Sequence, residues 1–116
     1  MAHLSTHVLD TARGMPAEGV AIDLHRLTGG GRAHVVSTST GSDGRTAKPL
    51  LADASDAGEY ELTFHVAEYF RRHGVTLTTP PFLDAITIRV GIADARGRYH
   101  VPLLVSPYGY STYRGS

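Results

Sequence analysis

A chain of 116 residues holds one domain and is too short for two ordinary ones. Its eleven Lys and Arg balance eleven Asp and Glu, which leaves no electrostatic footprint for nucleic acid or for an acidic membrane surface. Because there is no cysteine, a disulfide-stapled secreted domain, a cysteine nucleophile and a thiolate metal site are all excluded.

The N-terminus, Met1-Ala2-His3-Leu4-Ser5-Thr6-His7, lacks a basic start and an apolar run, so no signal peptide is expected. No stretch approaches the roughly 20 apolar residues that cross a bilayer, and the expectation is a soluble, cytoplasmic protein. Leu4 to Asp10 reads as a strand with a titratable side chain, His7, at its middle. A turn at Arg13-Gly14-Met15-Pro16 separates it from Val20-Ala21-Ile22-Asp23-Leu24-His25, where branched residues take one face and polar ones the other. Gly29-Gly30-Gly31 is followed by Arg32 and another strand pattern, so it predicts a hairpin turn, not a phosphate cradle. Turns follow at Gly41-Ser42-Asp43-Gly44 and Asp56-Ala57-Gly58.

Tyr60, Leu62, Phe64 and Val66 alternate with polar residues and predict a strand that leads into a helix. Val66 to His73 has good helix formers and ends at Gly74, a natural stop. After a loop through Pro80-Pro81, Ile86, Ile88, Val90 and Ile92 mark a further strand. Beyond the turn at Ala95-Arg96-Gly97, Tyr99, Val101, Leu103 and Val105 mark another. Pro102 cannot donate to a ladder, which predicts an edge strand or a local irregularity. An edge strand needs cover, and a second subunit is one way to supply it; a bulge in a monomer is the other reading. Many short strands with frequent turns and one helix give an all-β sandwich.

Seven histidines make metal binding the first chemistry to test. His3 and His7 share a strand face, but four residues at about 3.3 Å each set them roughly 13 Å apart. No recognisable zinc spacing occurs. His3, His25, His34, His65 and His73 are expected as solvated surface groups. Ser111 lacks the glycines of a nucleophile elbow, and the acidic residues read as turn and surface groups. Two features stand outside ordinary sandwich logic: His7 in mid-strand, and a C-terminus that carries Tyr108, Tyr110, Tyr113 and Arg114 close to its end.

The opening His7-Val8-Leu9-Asp10-Thr11-Ala12-Arg13-Gly14-Met15-Pro16-Ala17 and the ending from Tyr99 to Tyr113-Arg114-Gly115-Ser116 resemble the two signatures of the transthyretin-related family. Three positions are of the hydrolase kind and not the hormone-carrier kind: His7, Arg45 and His100 stand where carriers have lysine, glutamate and threonine. The Tyr113-Arg114-Gly115-Ser116 ending is also of the hydrolase kind. The resemblance covers essentially the whole chain, residues 1–116, as a single domain. It implies two four-stranded sheets with one short helix, assembled as a homotetramer of paired dimers whose sites lie at the dimer–dimer interface. It implies hydrolysis of 5-hydroxyisourate to a ureidoimidazoline carboxylate in urate breakdown, with no metal and no cofactor.

On that resemblance His7, Arg45, His100 and Ser116 are the catalytic candidates, with Tyr113, Arg114 and Gly115 beside them as substrate contacts. One of the two histidines would activate water while the other orients it or protonates the leaving nitrogen; strand alternation leaves open which. A transthyretin-like carrier of small molecules without catalysis is the alternative.

Overall fold

The structure is a computed structural model that describes residues 3–52 and 57–116; Asp56, in one expected turn, lies outside them. Eight strands and one helix occur among the described residues: β1 His3–Asp10, β2 Met15–Pro16, β3 Ala21–Thr28, β4 Gly31–Ser39, β5 Gly58–His65, α1 Val66–Arg72, β6 Ala85–Ile92, β7 Arg98–Ser106 and β8 Gly109–Thr112. They form two four-stranded sheets, ordered β2-β1-β7-β8 and β4-β3-β5-β6. This is the sandwich that period-two patterning predicts. Along β1, Leu4, Thr6, Val8 and Asp10 are buried, whereas His3, Ser5, His7 and Leu9 are half-buried on the outer face. The inner faces of both sheets contribute to one core, Leu62 and Phe64 from one and Val8 and Leu103 from the other.

The helix sits between β5 and β6, as its composition predicts. Glu68 in its first turn and Arg71 and Arg72 in its last oppose the helix dipole favourably. Gly74 ends it with φ +81°, a conformation that L side chains rarely adopt. Tyr69 and Phe70 turn inward and close one end of the core.

Three expectations need correction. The strand that carries Pro102 is not an edge: β7 lies between β1, in parallel register, and β8. The carbonyls of Val101 and Val105 accept hydrogen bonds from β1 and the turn after it, whereas those of His100 and Pro102 face the tail side. The missing N–H of Pro102 therefore falls on the β8 side, where that ladder stops at Leu103 opposite Thr112. The local irregularity is the correct reading, and Pro102 gives no argument for a partner subunit.

Asp10, read as a turn acid, is fully buried. Its Oδ1 accepts the N–H groups of Ala12 and Arg13, and its Oδ2 accepts the hydroxyl of Tyr69 at 2.8 Å. Burial, reinforced by Asp10, pushes the Tyr69 hydroxyl above the usual phenol range. Tyr69→Phe leaves one buried carboxylate oxygen without a donor; the expected loss is about 1–3 kcal/mol of stability, read as a lower urea midpoint at unchanged slope.

Nor are all five remaining histidines solvated. His65 is half-buried, with Nε2 2.8 Å from Asp23 Oδ2. His25 is half-buried against His34, ring centres 5.4 Å apart. His3 is half-buried at the edge of the cleft described next.

Candidate active site

Parallel pairing of β1 with β7 sets the site's frame. Ser5 lies opposite His100 and His7 opposite Pro102, so two segments 95 residues apart present both imidazoles on the same outer face. Alternation places His7 and His100 outward on their own strands; only the register makes them neighbours.

Arg45 reaches this face through the loop after β4. Gly41 to Arg45 forms a tight turn in which Asp43 Oδ1 accepts the Arg45 N–H at 3.0 Å. The chain then runs beside β1: Val8 N–H donates to the Gly44 carbonyl at 2.9 Å, and Arg45 bridges to His7. Gly44 is required at that approach. Its φ is +78°, and a Cβ there would stand 2.4 Å from the Val8 carbonyl oxygen and 3.0 Å from His7 Cδ2. The Asp43 carbonyl lies 2.9 Å from His7 Nε2. A carbonyl only accepts, so Nε2 carries the hydrogen and the neutral His7 keeps its lone pair on Nδ1.

The tail closes the other side. Gly115 N–H donates to the His100 carbonyl at 2.8 Å, and its backbone lies so close to the ring that a Cβ would come within 2.7 Å of His100 Cδ2. Ser5 Oγ is 2.8 Å from His100 Nδ1. His3, Ser5, Arg45, Arg98, His100 and Ser116, with Tyr99, surround a cleft of about 240 Å³. No Asp or Glu lines it, and two arginines do, so it favours an anionic or carbonyl-rich guest. Burial holds the His100 imidazole below its ordinary pKa, and the charges of Arg45 and His7 act in the same direction. The neutral form of His100, which a proton acceptor needs, is thereby favoured.

Tyr113 and Arg114 lie elsewhere in the single chain. They line a second cleft of about 350 Å³ with Ile88, Val90 and Val101, and Tyr99 borders both spaces. The Arg114 guanidinium rests 4.3 Å over the Tyr99 ring and donates to the Arg98 carbonyl. Sequence reasoning missed Ser5, His3, Arg98 and Asp43. A shared outer face with His7 was the available signal for Ser5 and His3, while nothing local marked the backbone contact of Asp43. Among the described residues no group of three His, Cys, Asp or Glu side chains could hold a metal ion.

Comparison with known proteins matches residues 4–115 to the profile of the HIUase/Transthyretin family. The chain belongs to that family. A relative within it, 5-hydroxyisourate hydrolase 2 of Rhizobium meliloti (strain 1021), is 58% identical over 97% of this chain and 95% of its own length. The structure of Klebsiella pneumoniae 5-hydroxyisourate hydrolase superposes with TM-score 0.83 at 35% identity, covering 100% of both chains. That of an (S)-allantoin synthase superposes with TM-score 0.93 at 45% identity; this chain, at 99% coverage, spans 44% of that one. The family fold is thus the one that the two terminal signatures imply.

Proposed function

We propose that this protein is a hydrolase that opens 5-hydroxyisourate with water, giving 2-oxo-4-hydroxy-4-carboxy-5-ureidoimidazoline in urate degradation. The observation that carries the reading is the meeting of Arg45 and His100 at one cleft, with His7 bridged to Arg45 on the same sheet face, in a chain 58% identical to a 5-hydroxyisourate hydrolase. Water attacks the carbonyl of the cyclic amide as an imidazole takes its proton; the C–N bond then breaks and the proton passes to the leaving nitrogen. Arg45 holds the carbonyl oxygen or anionic edge of the substrate and stabilises the charge that grows there. Ser116 and Gly115 close the cleft around the water, and Tyr113 and Arg114 flank the substrate's approach.

Four copies assemble as a dimer of dimers with sites at the dimer–dimer interface, in the cytoplasm. Light scattering should therefore return a mass near four times the 12.4 kDa chain.

The direct test generates 5-hydroxyisourate from urate with urate oxidase and follows decay of its ultraviolet band. With this protein present, decay should far exceed the spontaneous rate. Decay at the spontaneous rate from well-folded protein would remove the hydrolase reading, and stoichiometric binding without turnover would put the carrier in its place.

A further inference from the structure

His7 and His100 differ in what holds the nitrogen turned away from their reacting side. The partner of His7 is a backbone carbonyl, which accepts only, so the ring is confined to one neutral tautomer. The partner of His100 is a hydroxyl, Ser5 Oγ, 2.8 Å from Nδ1. With Nε2 as the base, Nδ1 carries the hydrogen in the neutral ring as in the imidazolium, and Ser5 Oγ accepts it in both. Ser5 is fixed for this by the ladder, directly opposite His100 in the β1–β7 register. On the other edge of the ring, the Gly115 backbone blocks displacement, since even a Cβ there would stand 2.7 Å from Cδ2. The ring is thereby held at Nδ1 and at Cδ2, which leaves Nε2 as the nitrogen available to the cleft.

We infer that Ser5 is a positioning residue that holds His100 in both of its protonation states, so that Nε2 takes the proton from water and delivers it to the leaving nitrogen. This rests on the hydrolase reading above and assigns the proton shuttle to His100 within it. The balance is closed: one O–H bond of water breaks as its oxygen bonds to the amide carbon, and the C–N bond breaks as nitrogen takes the same proton from Nε2. When Nε2 is protonated, Nδ1–H donates to Ser5 Oγ. The other charged and titratable groups around the imidazole are His3 and His7 from β1, Arg45 from its loop, and Arg98 and Tyr99 from β7, with Ser116 at the rim. None offers a carboxylate side chain to Nδ1, which sets this histidine apart from one oriented by an acid.

The test compares Ser5→Ala and Ser5→Thr with the parent in full-length protein. Ser5→Ala should lower kcat about tenfold with KM within twofold, the size expected for loss of one positioning hydrogen bond. The imidazolium also loses its acceptor, so the acid limb of the kcat profile should move to lower pH. Ser5→Thr, which keeps the hydroxyl, should restore kcat to within twofold. An Ala variant with parental kcat and an unmoved limb would overturn the inference, as would a loss that Thr does not restore. If the parent shows no turnover at all, the hydrolase reading falls separately. In that case nitrogen-15 NMR titration of His100 decides the Ser5 contact: a lower pKa in Ser5→Ala supports it, and an identical titration overturns it.

Discussion

His100→Asn should lower kcat for ring opening by about 10²-fold, the least that removal of a general acid–base group typically costs. Asparagine fits the space and can still meet Ser5 Oγ, so the loss isolates proton transfer from packing. KM should change little, because the charged contact to substrate comes from Arg45. Stability should stay within about 0.5 kcal/mol, since His100 is half-exposed and its backbone bond to Gly115 is untouched. The parent's own pH profile supplies the companion result. Burial, Arg45 and His7 hold the imidazole below its ordinary pKa. Activity that needs it neutral is therefore retained as pH falls through the usual histidine range, and declines only at the lower value. In the Asn variant that acid limb should vanish from what activity remains. A variant within threefold of the parent would remove His100 from the mechanism.

Gly44→Ala should do two kinds of damage at once. Its φ of +78° is strained for any L residue, and the new Cβ would collide with a backbone oxygen at 2.4 Å, which cannot rotate away as a side chain can. The loop must withdraw from β1 and lose the hydrogen bond from Val8 N–H, for a stability cost of about 2–3 kcal/mol seen in urea unfolding. Arg45 and the Asp43 carbonyl that fixes His7 ride on the same loop. Displacing such groups by about 1 Å costs on the order of 10²-fold, so kcat/KM of the folded fraction should fall by at least tenfold. Lower stability with unchanged kcat/KM would make Gly44 a fold residue and nothing more.

Much of the architecture was legible in the chain because the strands are amphipathic and the helix differs in composition from them. Alternation located the buried faces of β3, β5, β6 and β7, and Gly74 located the helix end. What it could not locate were the short strands: two residues of β2 and four of β8 leave too little pattern to read. Of the two readings of Pro102, the edge strand failed because it charged a missing donor to the whole strand, whereas the local irregularity places it on one side at one rung. Asp10 was misread because its buried partner, Tyr69, is 59 residues away. The site divided along the same line. His7, Arg45, His100 and the tail came from resemblance to a family, since nothing in the spacing of residues 7, 45 and 100 brings them together. Ser5 was overlooked because its importance lies in the register of a parallel pair, which is a property of the fold and not of any segment.

That parallel pair also ties the appearance of activity to folding itself. Hairpins such as β3–β4 close over a few residues, but β1 and β7 join the two ends of the chain across a separation of 95 residues. Loop closure on that scale is a slow class of event, and contacts this distant in sequence are late rewards of folding. A chain with its second sheet formed and β1 undocked would lack the pairing that sets His7 and His100 on one face. Turnover is thus an all-or-nothing report on the pairing of β1 with β7, and its recovery during refolding would time the moment those two strands meet.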